Sequence, residues 1–419
     1  MHAAAPLVAL ALVASVLAAP PAFAAAGDPD PTFGGDGTVL TDFAVGFDAA
    51  LAVTVQDDGK IVAAGYADGA TPDFGVARYL RSGAPDGSFS GDGIQTADFG
   101  EGDQANVVTV QDDGKIVAAG YAATGPDRDL AIARFRAGGM LDPTFSGDGM
   151  KTIDFGSEFE EVYGVAVRPD GKIAVAGYTF DTVALAADFV LARLKPGGAL
   201  DPSFSGDGKR TVDFGNDESI FAMELLSGGK ILVAGGSNDG VSMSFALARF
   251  RPGGAPDTTF SGDGITYTDF GSSGTALAID TRSDGKIVLA GESQGQIAVA
   301  RYRPGGALDS TFSGDGKLMV DLGVGSEAAN GVAFQDDGKI VVAGYASNGI
   351  DDDFVALRYR KGGGPDPTFS GDGVQLVDFG FGDDNAFAMV LQANGRIVVA
   401  GYADNGPDED FGLTRLLAA

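Results

Sequence analysis

The stretch LDPTFSGDG, residues Leu141–Gly149, decides the fold because close copies of it recur along the whole chain. The phenylalanine in each copy marks the repeat, and the copies follow one another at intervals of 52 to 59 residues. These residues are Phe33, Phe89, Phe145, Phe204, Phe260, Phe312 and Phe369. Self-similarity at such a period is typical of repeat architectures. The chain therefore contains seven copies of one structural unit.

Each unit contains four short segments with the character of β-strands. One ends in Asp-Phe-Gly, as at Asp98–Gly100, and the next is an alternating run such as LAVTVQ from Leu51. The third and fourth resemble GKIVAAGY from Gly59 and DFGVARY from Asp73. The segments are rich in Val, Ile, Phe and Tyr, lie between Gly, Asp and Pro, and show no sustained helical period. Four strands in each of seven units predict an all-β, seven-bladed β-propeller with four antiparallel strands per blade.

The order of the segments predicts how the ring closes. We assign the LAVTVQ segment as strand A and the three that follow it as strands B, C and D. A D-type segment at about 38–43 precedes the first complete blade, whereas the last blade has no D strand of its own. We expect this N-terminal strand to complete blade 7 and cover the open sheet edges. The predicted blades span about 50–99, 105–155, 162–214, 220–270, 275–322, 329–379 and 386–416 plus 38–43.

The repeated sequence motifs resemble those of a known family. LDPTFSGDG, TVQDDGKIVAAGY from Thr54 and DFGVARY from Asp73 look like the delta-60 repeat, found in bacterial exported β-propeller repeats of unassigned activity. The units are also similar to NHL-type propeller blades. The resemblance extends over nearly the whole chain after residue 24. It implies a propeller fold and export, and it implies no chemistry.

The composition excludes several classes of function. The chain of 419 residues carries 28 Lys+Arg against 58 Asp+Glu, a formal net charge of -30, which disfavours nucleic acid and anionic lipid as partners. Cysteine is absent and His2 is the single histidine, so a Ser-His-Asp or Cys-His relay and a zinc or copper site are excluded. Carboxylate chemistry and oxygen-ligated Ca²⁺ or Mg²⁺ remain.

The first 24 residues predict export. MHAAAPLVALALVASVLAAPPAFA is apolar and ends in an A-x-A cleavage pattern at Ala22–Ala24. We therefore expect a signal peptide over 1–24, one propeller domain over 25–419, and a monomeric, secreted or cell-surface protein. The start of this segment lacks Lys and Arg, so a misassigned start or an uncleaved anchor is the alternative. No later stretch reaches the roughly 20 apolar residues of a membrane span.

Residues that recur in every unit are expected to be structural, because a catalytic group is needed once. Strand C carries an arginine and strand D an aspartate in all seven units, which predicts a partly buried ion pair in each blade. The arginines are Arg78, Arg134, Arg193, Arg249, Arg301, Arg358 and Arg415, and the aspartates are Asp42, Asp98, Asp154, Asp213, Asp269, Asp321 and Asp378. The alternative is a ring of anion-binding arginines. The small pair Ala64–Gly65 and its counterparts are expected where blades converge on the axis.

The second aspartate of the repeated loop has two interpretations. Flanking glycines and a carboxylate that accepts nearby backbone N–H groups predict a structural turn. The alternative is a calcium ligand, although one loop offers a single sure carboxylate and Ca²⁺ takes 6–8 oxygens. The residues are Asp36, Asp92, Asp148, Asp207, Asp263, Asp315 and Asp372.

Function is expected where the units differ. The D–A and B–C loops share one face and are variable and acidic, as in SEFEE at 157–161 and DNGPDED at 404–410. Within strand A, blades 4 and 5 place Glu224 and Asp280 where the other blades have small or apolar residues. Two carboxylates near the axis could share a proton, as in glycosidases, or hold a cation. Alternatively, the two carboxylates are tolerated substitutions without a function, whose side chains point into a water-filled central channel.

Three functions follow from these observations. The first is a non-enzymatic binding or adhesion scaffold that presents an acidic face to a protein or glycan. The second is a carboxylate-dependent carbohydrate hydrolase or lyase that uses Glu224 and Asp280. The third is a calcium-dependent surface or adhesion protein. Against the second, tryptophan is absent and no aromatic residue flanks the pair at its strand position.

Overall fold

The computed structural model describes residues 24–43, 46–323 and 325–418. Within these ranges the chain forms 28 β-strands and one short 3-10 turn at Ser227–Gly229. The predicted signal peptide falls almost entirely outside the described residues. No helix in the described ranges has the length and apolar character that a transmembrane helix requires.

The strands follow the repeat. The first is β1 (Thr38–Thr41), and blade 1 contains β2 (Ala49–Val55), β3 (Ile61–Ala67), β4 (Asp73–Tyr79) and β5 (Ile94–Ala97). Blade 2 contains β6 (Asp103–Val110), β7 (Ile116–Ala123), β8 (Arg128–Phe135) and β9 (Met150–Ile153). Blade 3 contains β10 (Phe159–Val167), β11 (Ile173–Asp181), β12 (Ala186–Leu194) and β13 (Lys209–Val212). Blade 4 contains β14 (Asp217–Leu225), β15 (Ile231–Asn238), β16 (Met243–Phe250) and β17 (Ile265–Thr268).

The remaining blades repeat the same order. Blade 5 contains β18 (Gly274–Thr281), β19 (Ile287–Ser293), β20 (Gln296–Tyr302) and β21 (Lys317–Val320). Blade 6 contains β22 (Glu327–Phe334), β23 (Ile340–Ser347), β24 (Asp352–Tyr359) and β25 (Val374–Val377). Blade 7 contains β26 (Asn385–Leu391), β27 (Ile397–Asp404) and β28 (Glu409–Leu416).

Each blade is a four-stranded antiparallel sheet in which successive strands are neighbours. Blades 2 and 3 are also joined by one parallel bridge, between Phe159 of β10 and Arg128 of β8. Blade 7 has the order β26-β27-β28-β1. The predicted all-β, seven-bladed propeller is confirmed.

The N-terminal strand closes the ring as predicted. Thr38 of β1 lies opposite Thr414 of β28, and Thr41 lies opposite Phe411. The loop before β1 adds to this closure, because the Asp30 N–H donates to the carbonyl of Arg415 at 2.7 Å. Blade 7 is therefore assembled from the two ends of the described chain.

A β-bulge interrupts strand A in every blade. In blade 1 the bulge places Leu51 as an extra residue between Ala50 and Ala52. It also brings the Ala49 carbonyl oxygen to 1.7 Å from where a Cβ on Gly65 would lie. The glycine at this position is thus required by a close backbone approach within one blade, and not by the convergence of blades that we expected from the sequence.

The core lies between neighbouring blades. The seven loop phenylalanines, from Phe33 to Phe369, are completely buried. Phe89, for example, packs in one cluster with Val76 of blade 1 and Ile116 of blade 2. Each loop phenylalanine therefore seals the contact between its own blade and the next.

The strand-C arginine above each phenylalanine forms the same ion pair in every blade. Its Nε atom donates to an aspartate Oδ2 atom at 2.8 to 3.0 Å in all seven blades. The pairs are Arg78–Asp86, Arg134–Asp142, Arg193–Asp201, Arg249–Asp257, Arg301–Asp309, Arg358–Asp366 and Arg415–Asp30. The aspartate is the first one of the repeated loop. An arginine–aspartate pair is therefore present in every blade, but with a different partner from the predicted one.

The predicted pairing with the strand-D aspartates Asp42, Asp98, Asp154, Asp213, Asp269, Asp321 and Asp378 is wrong. Strand D runs antiparallel to strand C, so that Ala97 lies opposite Phe74 and Ile94 lies opposite Ala77. Asp98 consequently lies beside the start of strand C, whereas Arg78 lies at its end. Six of the seven strand-D aspartates accept the N–H of the glycine two residues later, as Asp98 does from Gly100 at 2.7 Å.

The arginine also ties each blade to the next one. In blade 2, Arg134 Nη2 donates to Thr144 Oγ1 at 3.0 Å, and Arg134 Nη1 donates to the Pro196 carbonyl of blade 3 at 2.6 Å. The guanidinium lies 4.8 Å from the ring centre of Phe145. Burial opposes ionisation of Asp142, but hydrogen bonds from Thr144 and the charge of Arg134 outweigh it and lower the pKa. The pair is therefore buried, and each nitrogen of the Arg134 guanidinium donates one hydrogen bond.

We expect the two aspartates of the loop at Leu141–Gly149 to differ in their contribution to stability. Asp142→Ala leaves Arg134 buried without its counter-ion, which lowers the free energy of unfolding by about 3–5 kcal/mol. Asp148→Ala removes one exposed hydrogen bond to the Met150 N–H and costs about 1 kcal/mol. Urea denaturation of both variants measures the difference, and equal losses contradict it.

The bulge predicts a second matched pair of variants. A Cβ on Gly120 lies 1.9 Å from the Gln104 carbonyl oxygen, so Gly120→Ala forces the bulge apart and costs about 3 kcal/mol. A Cβ on Gly138 meets nothing within 4 Å, and Gly138→Ala changes the free energy of unfolding by less than about 1 kcal/mol. Thermal unfolding of each variant provides the measurement. A tolerated Gly120→Ala substitution contradicts the steric role of the carbonyl.

Candidate functional site

The loops divide between two faces of the ring. On one face the A–B turn meets the C–D loop, as shown by Lys60 Nζ at 3.1 Å from Asp86 Oδ2. On the other face the D–A loop meets the B–C loop, where the Asp68 N–H donates to Asp48 Oδ1 at 2.9 Å. We call the first the turn face and the second the variable-loop face. This division agrees with the sequence interpretation.

The seven A strands surround a central channel. Each contributes its bulge residue and the two residues that follow it, and the cavity between them measures about 210 Å³. The bulge residues differ from blade to blade: Leu51, Asn106, Tyr163, Phe221, Leu277, Asn330 and Phe387. The channel wall is therefore one of the regions in which the blades differ.

Three aromatic rings meet at the channel in blades 3 and 4. Tyr163 of β10 stacks on Tyr178 of β11, with ring centres 5.9 Å apart and an interplanar angle of 12°. Phe221 of β14 packs edge-on against Tyr163 at 5.2 Å and lies 5.9 Å from Tyr178. All three rings are half-buried, so part of each remains accessible.

A charged pair adjoins these rings. Arg128 Nη1 forms an ion pair with Glu161 Oε1 at 2.8 Å, and the Tyr163 hydroxyl donates to Glu161 Oε2 at 2.7 Å. The Arg128 guanidinium also lies 4.3 Å from the ring centre of Tyr121. Burial, and then the charge of Glu161, raise the pKa of Tyr178 to about 12. We call Tyr121, Arg128, Glu161, Tyr163, Tyr178 and Phe221 the aromatic–arginine cluster.

Sequence reasoning did not find the aromatic–arginine cluster. Tyr121 and Tyr178 occupy a strand-B position that is tyrosine in five of the seven blades, so they resemble structural repeats. Tyr163 and Phe221 occupy the bulge, whose position in strand A is not visible in the sequence. The available signal was Arg128, because no other unit has an arginine at the start of strand C.

Glu224 and Asp280 are both half-buried, one in each of two neighbouring blades. Glu224 Oε1 accepts a hydrogen bond from the Thr281 hydroxyl of blade 5 at 3.3 Å. Asp280 Oδ2 accepts one from the Phe334 N–H of blade 6 at 2.6 Å. Burial, and then the charge of Asp280, raise the pKa of Glu224 to about 7, and burial raises the pKa of Asp280 to about 6. Each carboxyl group therefore bridges two blades.

The second loop aspartates close turns, in agreement with their structural interpretation. From Asp36 to Asp372, each of the seven accepts the N–H of the residue two positions later at 2.9 to 3.1 Å. All seven are exposed. In the described part of the chain none belongs to a group of three acidic side chains that could share an ion.

The raised pKa of Glu224 predicts a pH-dependent stability difference. A folded-state pKa of about 7, above the usual 4.5, gives stability that is complete below pH 4.5 and lost as the pH rises through 7. Glu224→Gln keeps the shape without the charge, so its melting temperature gains on the wild type between pH 5 and pH 8. Glu101→Gln, at an exposed position, is the control. Parallel melting curves for Glu224→Gln and the wild type at every pH contradict this.

Comparisons with known proteins find the fold in solved structures. A structure of a family PL25 ulvan lyase bound to its saccharide is 12% identical, with a TM-score of 0.51, and the match covers 91% of this chain and 96% of that one. Chaetomium thermophilum Sqt1 bound to the N-terminus of ribosomal protein L10 is 12% identical, with a TM-score of 0.49, and the match covers 90% of this chain and 98% of that one. The propeller domain of the trilobed protease from Pyrococcus furiosus is 9% identical, with a TM-score of 0.44, and the match covers 91% of this chain and 95% of that one.

The sequence itself identifies the family. A search of curated proteins finds no match to the chain. One family profile, described as a domain of unknown function (DUF5122) beta-propeller, matches seven times and covers more than half of the chain. The matches span 56–89, 111–145, 168–204, 227–260, 282–312, 335–369 and 392–418. Each begins at an A–B turn and extends through strands B and C, and all but the last end at the buried loop phenylalanine. The chain therefore belongs to the DUF5122 β-propeller family.

Proposed function

We propose that this protein is an exported, non-enzymatic binding scaffold that takes a protein or glycan ligand at the aromatic–arginine cluster. The observation that carries the proposal is the concentration of accessible aromatic rings and an arginine in blades 2 to 4. The channel wall and the variable-loop face are the regions where the blades differ, and ligand contacts on a repeat scaffold belong where the repeat is broken.

The chemistry of the aromatic–arginine cluster suits recognition. Tyrosine and arginine contribute most to binding energy in protein interfaces, because they combine apolar area with directed hydrogen bonds. Aromatic rings also provide flat apolar surfaces against which a sugar ring can pack. Glu161 is 8% exposed and holds both Arg128 and Tyr163, so these groups are fixed in position before a ligand arrives.

The negative charge of the protein limits which ligands can bind. A formal net charge of -30 and acidic loops on the variable-loop face repel anionic ligands at a distance and attract cationic ones. Arg128, whose side chain is 40% exposed, is a positive group within the aromatic–arginine cluster. A neutral glycan or a basic segment of a protein fits this field.

The proposal of export comes from the leader-like first 24 residues and the resemblance to delta-60 repeats. A protein released by such a leader reaches the cell surface or the medium. In such a scaffold the repeated residues stabilise the propeller, and the residues that differ between blades are available to bind a ligand outside the cell.

A carboxylate-dependent hydrolase or lyase is the second candidate. Glu224 and Asp280, with pKa values of about 7 and 6, lie in the range useful for proton transfer. Their hydrogen bonds to Thr281 and Phe334 also account for their positions without any substrate. The ulvan lyase, at 12% identity, shares the fold alone, but it makes polysaccharides a sensible class to test.

We expect Tyr178→Ala to weaken ligand binding by more than about tenfold, because it removes a central ring of the cluster. Tyr345→Ala is the matched control: it occupies the same strand-B position in blade 6, outside the aromatic–arginine cluster. The measurement is binding of the full chain to an array of neutral and anionic glycans and to a panel of cell-surface proteins. Melting temperatures show whether either variant is unfolded.

Three outcomes are decisive. Binding by the wild type that is lost in Tyr178→Ala and kept in Tyr345→Ala supports the proposal. Equal loss in both variants, or no ligand on either panel, counts against it. If the wild type cleaves a glycan and Asp280→Asn does not, the protein is a carboxylate-dependent enzyme and the scaffold proposal is wrong.

A further inference from the structure

Acidic side chains converge where one blade meets the next on the variable-loop face. At the junction of blades 1 and 2 they are Asp73 at the start of β4, Asp98 just after β5 and Asp103 at the start of β6. Each offers one carboxylate oxygen, and these oxygens lie within 4.8 Å of one another. We call such a group a junction triad.

Four other junctions have the same arrangement, built from the same three positions of the repeat. The further junction triads are Asp129–Asp154–Glu160, Asp188–Asp213–Glu218, Asp353–Asp378–Asp384 and Asp410–Asp42–Asp48. In the described part of the chain, no lysine or arginine forms an ion pair with any of these carboxylates. The like charges are therefore close together without a cationic side chain between them.

In the junction triad between blades 1 and 2, only some of the carboxylate oxygens accept hydrogen bonds from the protein. Asp98 Oδ1 accepts the Gly100 N–H at 2.7 Å, and Asp103 Oδ2 accepts the Phe99 N–H at 2.6 Å. Asp73 Oδ1 and Asp103 Oδ1 are buried and have no hydrogen-bond partner. Asp103 is 1% exposed, so bulk water does not solvate the free oxygen. A buried oxygen of this kind is costly unless another group meets it.

The triads on either side of blade 7 repeat this feature. Asp353 Oδ1 and Asp410 Oδ1 also lack partners, and both residues are 4% exposed. Their second oxygens are occupied, by Asn348 Nδ2 at 3.0 Å and by Asn405 Nδ2 at 2.6 Å. Three separate junctions therefore leave a buried carboxylate oxygen available beside two other carboxylates.

The two remaining junctions provide a comparison within the same chain. Between blades 5 and 6, Gln296 replaces the strand-C aspartate, and its Nε2 atom donates to Asp321 Oδ2 at 3.1 Å. Between blades 4 and 5, Asp269 is accompanied by Ser244 and Gly274 at the other two positions. At the junction of blades 5 and 6 the amide donor replaces one carboxylate, and Asp321 and Glu327 remain as a pair in which Glu327 Oε2 is buried without a hydrogen-bond partner. At the junction of blades 4 and 5 two neutral residues leave Asp269 as the single carboxylate of the three positions.

We propose that the three junction triads with an unpartnered buried oxygen, those between blades 1 and 2, 6 and 7, and 7 and 1, each bind one hard divalent cation, with Ca²⁺ as the ion. Calcium takes carboxylate oxygens at flexible angles and completes its 6–8 ligands with water and carbonyl oxygens. The absence of histidine and cysteine from the triads disfavours softer metals. The three carboxylates come from two blades, so a bound ion joins strands C and D of one blade to strand A of the next. This goes beyond the proposed binding function, because it involves none of the residues of the aromatic–arginine cluster.

The test is isothermal titration of the EDTA-treated, dialysed full chain with CaCl₂, together with melting temperatures in CaCl₂, MgCl₂ and NaCl of equal ionic strength. We expect stoichiometry approaching three Ca²⁺ per chain and a melting temperature that rises more with CaCl₂ than with NaCl. The expected effect of MgCl₂ is smaller, because Mg²⁺ needs near-ideal octahedral geometry.

Matched variants assign the sites. Asp98→Asn keeps the oxygen that accepts the Gly100 N–H but removes the charge, so we expect the loss of one Ca²⁺. Asp269→Asn makes the same change at a junction without a triad, where the equivalent bond joins Gly271 at 2.6 Å, and we expect no loss. Gln296→Asp completes a triad with Asp321 and Glu327, and we expect one additional Ca²⁺.

Two results would overturn the proposal or its assignment to the junction triads. The proposal is overturned if CaCl₂ produces neither binding heat nor a melting shift beyond that of NaCl. Equal effects of Asp98→Asn and Asp269→Asn on Ca²⁺ stoichiometry overturn the assignment to the junction triads. Because Tyr178→Ala leaves every junction triad intact, loss of ligand binding in that variant does not affect this result.

Discussion

The buried ion pair between the strand-C arginine and the first loop aspartate is the interaction on which the rest of the propeller depends. A guanidinium removed from water must have its N–H groups satisfied, and each arginine finds an aspartate, a Ser or Thr hydroxyl and a carbonyl of the next blade. These partners determine the path of the C–D loop. The loop then places its phenylalanine under the guanidinium, where it seals the contact between blades.

The architecture could be predicted from the sequence because the same unit is repeated seven times, and a recurring pattern is visible in the sequence itself. The partner of the arginine was mistaken because three aspartates recur in every unit, two in the loop and one in strand D, and recurrence does not distinguish between them. Repetition shows that a residue is structural but does not show what it contacts. The antiparallel direction of strand D separates Arg78 from Asp98, and that argument was available from the predicted topology.

The bulge and the candidate sites were harder to predict for a different reason. The strand-B glycine is a small residue whose sequence context does not reveal that the Ala49 carbonyl faces it. The aromatic–arginine cluster joins residues from three blades, and each junction triad joins two blades. Neither arrangement is visible in any single unit. Both depend on how neighbouring units are placed, which propensity and periodicity do not describe.

The closing strand has a consequence for how the chain assembles. The Thr414 hydroxyl and the Gly37 carbonyl are hydrogen-bonded although they are 377 positions apart, whereas most blade contacts join residues close in sequence. Blades 1 to 6 can form from local hairpins, but the ring stays open until the last hairpin exists. During that interval β1 and β28 present unpaired edges. If two copies are present together, β1 of one can pair with β28 of the other, so the contact that completes the monomer is also the route to a strand-exchanged dimer.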